Sequence, residues 1–66
     1  MIQIKFLGPR NGVTHKKYFD NVAEARTFIN DRNLKVTGSI VVKVNKNWGW
    51  YDTKKEALFA LNAFCE

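Results

Sequence analysis

The chain has 66 residues, the size of one domain, and a single cysteine, Cys65, which excludes an internal disulfide. Eleven Lys and Arg against six Asp and Glu give a formal net charge of +5, which favours nucleic acid or an acidic protein surface as partner. The sequence shows no membrane-spanning run and no secretory signal, and with its lone cysteine it predicts a soluble, cytoplasmic protein without a membrane partner.

The first half of the chain predicts two strands and a helix. Apolar residues alternate with polar ones over residues 2–6, which indicates a strand. Asn11 and Gly12 are typical of a tight hairpin turn, because both adopt positive φ readily. The second strand then includes residues 17–19, and Asn21 stands three residues before Glu24, the spacing of a capping box at a helix start.

The second half of the chain repeats this pattern. Residues 40–44 predict the third strand, residues 45–47 a short turn, and Thr53 stands three residues before Glu56 in a second capping box. We therefore predict a single domain, 1–66, with an internal repeat of residues 1–33 and 38–66.

The repeat defines a fold class. Aligning residues 17–30 with residues 49–62 places Tyr18 on Trp50 and Phe19 on Tyr51. Each half then reads strand, turn, strand, helix. The order ββαββα predicts an α+β fold in which both helices pack on one face of an antiparallel sheet. The other face of such a sheet can lie in water.

The sequence offers little for catalysis. Four of the six carboxylate residues belong to the two helix starts, which leaves no pair for acid–base chemistry. His15 and Cys65 have no partner at metal-ligand spacing and no activating group placed by the sequence. No glycine-rich phosphate-binding motif is present. We therefore predict that the protein is not an enzyme and has no catalytic residues, no metal and no cofactor.

A basic aromatic face is the main functional candidate. If Phe19 and Tyr51 point to the helices, the other face collects three aromatic residues and three lysines: Tyr18, Trp48, Trp50, Lys5, Lys16 and Lys43. Rings among lysines suit single-stranded nucleic acid, since bases stack on the rings and lysines neutralise phosphates. We expect Lys17 and Arg10 to add phosphate contacts.

Two alternative orientations of the tryptophans are open at this point. In the first, Trp48 and Trp50 fill the core beneath the helices, as a small domain without disulfides favours, and Tyr51 lies outside. In the second, a bulge at Gly49 turns one tryptophan inward and leaves the other in water.

Two functional hypotheses follow. The first is a regulatory nucleic-acid-binding protein that favours single strands. The alternative is a protein-protein interaction module, such as a small dimer or a phage-type inhibitor or modulator of a larger host protein, because aromatic and basic residues are also typical interface anchors. Phe59 lies off the apolar stripe of its helix, so it is either a lone exposed aromatic residue or a contact in a homodimer.

Overall fold

The computed structural model describes residues 1–65 and shows a four-stranded antiparallel sheet with two α-helices. The chain order is β1 (Ile2–Leu7), β2 (Val13–Phe19), α1 (Val22–Ile29), β3 (Ile40–Val44), β4 (Asn47–Tyr51) and α2 (Lys54–Phe64). A short 3-10 turn at Pro9–Asn11 joins β1 to β2. The predicted α+β class and the order ββαββα are confirmed.

The spatial order of the strands is β2-β1-β3-β4, so β1 and β3 are central and β2 and β4 lie at the edges. Helix α1 packs against β1 and β2, helix α2 packs against β3 and β4, and the helices contact each other. The sheet is therefore two hairpins side by side, each with its own helix on the same face.

The core lies between the helices and one face of the sheet. Alternate residues of β1 and β3 are buried, and they pack against small and aliphatic residues of both helices: Ile2, Ile4, Phe6, Ile40, Val42, Val44, Ala25, Ile29, Ala57 and Leu61. Burial of this apolar surface is the main stabilising term, since the described chain has no buried polar or charged residue.

The strands of the two hairpins, β1–β2 and β3–β4, pair in equivalent registers. Ile2 faces Phe19 in the first hairpin, and Ile40 faces Tyr51 in the second. Phe19 and Tyr51, which the alignment of the two halves superposes, therefore pair with the first residue of the neighbouring strand in each hairpin. The correspondence extends along both hairpins except at the end of β1, where the register shifts between Phe6 and Leu7.

Both hairpin turns differ in detail from the sequence prediction. In the first, Arg10 adopts the left-handed conformation with φ of 63°, whereas Gly12 has φ of −71°. This loop is closed by the Gly8 N–H donating to the Gly12 carbonyl at 2.7 Å, so one left-handed residue in its middle is enough to reverse the chain. In the second, the turn is only Asn45 and Lys46, with Asn45 at φ of 55°.

Side-chain caps begin both helices. The Asn21 Oδ1 atom accepts a hydrogen bond from the Ala23 N–H at 2.7 Å, and the Thr53 Oγ1 atom accepts one from the Glu56 N–H at 3.1 Å. The predicted helix starts are therefore confirmed, although Asn21 caps the amide two residues ahead instead of three.

Candidate nucleic-acid interface

The face of the sheet without helices, termed the open face here, carries both tryptophans. Phe19 and Tyr51 pack against the core, so their strand neighbours point the opposite way. Trp48 is 60% exposed, Trp50 is 52% exposed and Tyr18 is 55% exposed. The orientation in which the tryptophans fill the core is therefore excluded. The register of β3 and β4 has no shift, so there is no bulge at Gly49.

Cross-strand pairing arranges the open face in two main rows. From β2 to β4, the first row is Tyr18, Gln3, Lys43 and Trp48, and the second is Lys16, Lys5, Val41 and Trp50. The aromatic rings therefore stand on the edge strands, and two of the three lysines stand on the central strands between them.

Tyr18 is held by two neighbours on the open face. The Gln3 Nε2 atom donates a hydrogen bond to the Tyr18 hydroxyl at 3.1 Å. The Lys16 Nζ atom lies 5.4 Å from the centroid of the Tyr18 ring, within the range of a cation–π contact. These contacts restrict the ring while leaving more than half of it in water.

The tryptophans border a shallow depression of about 410 Å³. Leu7 and Val41 contribute apolar surface to its lining, and Lys5 and Lys43 contribute positive charge. The depression is therefore an apolar surface beside cationic groups.

All charged residues of the open face are lysines. The four strands contain no Asp or Glu, and the described carboxylate residues lie in the helices or the loops. Lys5, Lys16 and Lys43 therefore have no carboxylate among their open-face neighbours, so the field above this face attracts anions.

Six of the eight predicted binding residues share the open face, and two do not. Lys17 pairs with Ile4 and so points to the helix side, where its Nζ atom lies 5.8 Å from the Phe28 ring centroid. This placement corrects the grouping of Lys17 with Lys16, because neighbours on a strand point to opposite faces. Arg10 lies in the loop beyond the end of β1.

His15 belongs to the helix side of β2. It is exposed and meets the Phe6 ring edge-on at 6.2 Å between centroids. Gln3 and Val41 are open-face residues that were not among the predicted binding residues. The alternation of β1 and β3 is the signal that places both of them there.

The predicted self-association residue, Phe59, lies on α2, on the helix side of the sheet. It is 78% exposed. With Lys55, Glu56 and Tyr51 it lines a second depression, between α2 and the edge strand β4. The open face and the Phe59 surface are therefore two distinct exposed aromatic surfaces.

The part of the chain that the structure describes has neither a candidate metal site nor a membrane-spanning helix. Within residues 1–65, no group of three or more His, Cys, Asp or Glu residues is arranged to hold a metal ion. Neither helix of this described part has the length and apolarity needed to cross a membrane. Comparison with protein-family models, curated proteins and solved structures found nothing that matches the chain.

Proposed function

We propose that this chain is a small cytoplasmic, non-enzymatic regulatory protein that binds single-stranded nucleic acid on its open face. One observation carries the proposal. Three exposed aromatic rings and three lysines share a helix-free sheet face whose strands contain no carboxylate.

The rings provide the stacking part of the site. Trp48 and Trp50 are two residues apart on one strand, which separates them by about 6.6–6.8 Å. Each tryptophan is more than half exposed, so each can stack on one base, and such stacking contributes about 1–3 kcal/mol per base. Tyr18, at the other edge of the same sheet face, provides a third platform.

The lysines provide the phosphate part of the site. Lys43 lies directly opposite Trp48 in the β3–β4 pairing, so a base on this ring has a cation beside its phosphate. Lys5 and Lys16 are cross-strand partners and extend the positive strip toward the other edge. Neutralisation of three phosphates predicts that log K falls with log salt with a slope of about −2 for a single strand.

The open face favours single strands over duplexes because its recognition groups are ring faces. In a duplex the bases stack on one another, so Trp48 and Trp50 have no base face to contact without breaking pairs. The open face also presents no helix for insertion into a major groove, since both helices lie on the opposite side of the sheet.

The test is a fluorescence titration of the tryptophans with a short single-stranded oligonucleotide at low salt. We expect quenching on binding, and Trp48→Ala or Trp50→Ala should weaken binding by about 5- to 150-fold, the equivalent of 1–3 kcal/mol. Lys16→Gln tests the phosphate contacts, and Lys17→Gln is its control because it removes the same charge from the helix side of the sheet. Only Lys16→Gln should lower the affinity and reduce the salt dependence.

Two results would contradict the proposal. The first is the absence of quenching at low salt. The second is an equal loss of affinity in Lys16→Gln and Lys17→Gln, which would mean that the affinity depends on net charge and not on the position of the lysine on the open face.

Binding of an acidic protein surface is the second candidate, and the apolar lining favours it. Leu7, Val13 and Val41 line the depression beside the tryptophans, and such aliphatic surface next to aromatic and basic residues is typical of interface cores. Poly-glutamate separates the two candidates, because it carries the charge without bases. If poly-glutamate displaces bound oligonucleotide as well as an unlabelled oligonucleotide of equal charge does, an acidic protein is favoured over nucleic acid as the partner.

A further inference from the structure

The two edge strands of the sheet differ in charge. Edge strand β2 carries two adjacent lysines, Lys16 and Lys17, whereas none of the five residues of β4 is charged. Lysines on an edge strand oppose pairing with another copy, because like charges would be brought together. Edge strand β4 has no such protection, and alternate backbone groups of an outer antiparallel strand point away from the sheet.

The helices beside the two edge strands also differ, because only the one beside β4 has an exposed aromatic residue at this position. Phe59 on α2 is 78% exposed and borders, with Tyr51 of β4, the depression between helix and edge strand. The alignment of the two halves places Thr27 of α1 at the equivalent position, so the β2 side has a small polar residue there. The β4 edge alone therefore combines an uncharged strand with an exposed aromatic residue.

Charges in the same depression are self-complementary. Lys55 and Glu56 lie side by side on the first turn of α2 and line the depression together with Phe59. A two-fold axis brings one surface against an identical surface, so Lys55 of each copy can meet Glu56 of the other. Two copies of such a surface can therefore pair their opposite charges around an apolar contact.

We propose that the chain forms a homodimer by antiparallel pairing of two β4 strands, with Phe59 and Tyr51 of each copy packed against those of the second copy. Lys55 and Glu56 form reciprocal ion pairs around this aromatic contact. The sheet then runs through both copies with eight strands, and the four tryptophans lie on one continuous open face. The dimer does not depend on nucleic-acid binding, so either proposal can fail alone.

The primary test is the mass in solution across a concentration series, by sedimentation equilibrium or light scattering. We expect a concentration-dependent rise from the chain mass of 7.6 kDa to twice that value. Phe59→Lys should weaken dimerisation by more than about tenfold, because it buries like charges at the two-fold axis. The matched control is Thr27→Lys, which adds the same charge at the equivalent exposed position of α1 and should dimerise like the parent chain.

Charge reversal tests the geometry of the contact. Lys55→Glu leaves two acidic residues in the depression and Glu56→Lys leaves two basic residues, so each variant alone should be monomeric. Mixed in equal amounts, they should form a heterodimer. The Glu56 backbone amide, which Thr53 caps, is unchanged in both variants, and circular dichroism checks that each is folded.

Hydrogen exchange locates the paired edge. Backbone amides of β4 should gain protection as concentration rises, while those of β2 should not. A chain that keeps the mass of a monomer at millimolar concentration would overturn the proposal. It would also be overturned by a dimer that Phe59→Lys leaves intact, or by one in which protection appears in β2.

Discussion

Replacing Gly49 by alanine tests the packing that fixes the orientation of β4. Gly49 and Tyr51 are two residues apart on one strand and point to the same side. A Cβ atom at position 49 would overlap the Tyr51 hydroxyl and lie 2.7 Å from its Cζ atom and 3.1 Å from its Cε2 atom. The Tyr51 ring therefore covers the space that a side chain at Gly49 would occupy.

The size of the effect follows from two opposing terms. Displacing the ring from its packing against the core is an overpacking cost of about 1–3 kcal/mol. Alanine in a strand is favoured over glycine by about 0.5–1 kcal/mol, which offsets part of that cost. We expect Gly49→Ala to lower the free energy of unfolding by about 1–2 kcal/mol, equivalent to a fall in Tm of about 4–16 °C for a domain of this size.

A double-mutant cycle with Tyr51→Ala isolates the cause. Unfolding in urea is followed by far-ultraviolet circular dichroism, because tryptophan fluorescence would report on the neighbours of the mutation. In the Tyr51→Ala background the obstruction is gone, so Gly49→Ala should become stabilising by about 0.5–1 kcal/mol. If Gly49→Ala is equally destabilising in both backgrounds, the Tyr51 ring is not what excludes a side chain at position 49.

Substitutions at three further positions test the fold by the same urea assay. Gly38→Ala should destabilise more than Gly49→Ala, because its Cβ atom would overlap the backbone carbonyl oxygen of Leu7, which cannot swing away like a side chain. Thr53→Ala should cost about 1 kcal/mol by removing a cap, and Thr53→Ser should restore most of that loss. Phe6→Ala should cost about 3–5 kcal/mol, because Phe6 is almost fully buried and packs edge-on against a second ring, and circular dichroism should show a largely unfolded chain.

Much of the fold could be predicted because its signals are local. The alternation of β1 and β3 identifies their buried faces, and the cap residues Asn21 and Thr53 locate both helix starts within a few positions. The order β2-β1-β3-β4 has no such local signal. It depends on the pairing of Ile4 with Val42, two residues far apart in the sequence, so only the assembled structure shows it.

Residues that are adjacent in the sequence need not share a surface of the folded protein. Lys16 and Lys17 are adjacent in sequence and look like one cationic cluster, but the strand separates them onto opposite faces of the sheet. Arg10 takes the left-handed position in the first turn, where Asn11 and Gly12 are the residues that such a position usually favours. The hydrogen bond between the Gly8 N–H and the Gly12 carbonyl closes this loop with Gly12 at negative φ, an arrangement that residue preference alone does not predict.

The orientation of the tryptophans depends on the length of a single turn. A three-residue turn over residues 45–47 would bring Trp48 opposite Val44, whose side chain faces the core, and both tryptophans would then lie beneath the helices. The observed turn has two residues, so Asn47 pairs with Val44 and Trp48 pairs with Lys43. A shift of one residue moves every side chain of a strand to the other face. The two-residue length of this turn, in which Asn45 is left-handed, therefore places the aromatic segment on an exposed surface and not in the core.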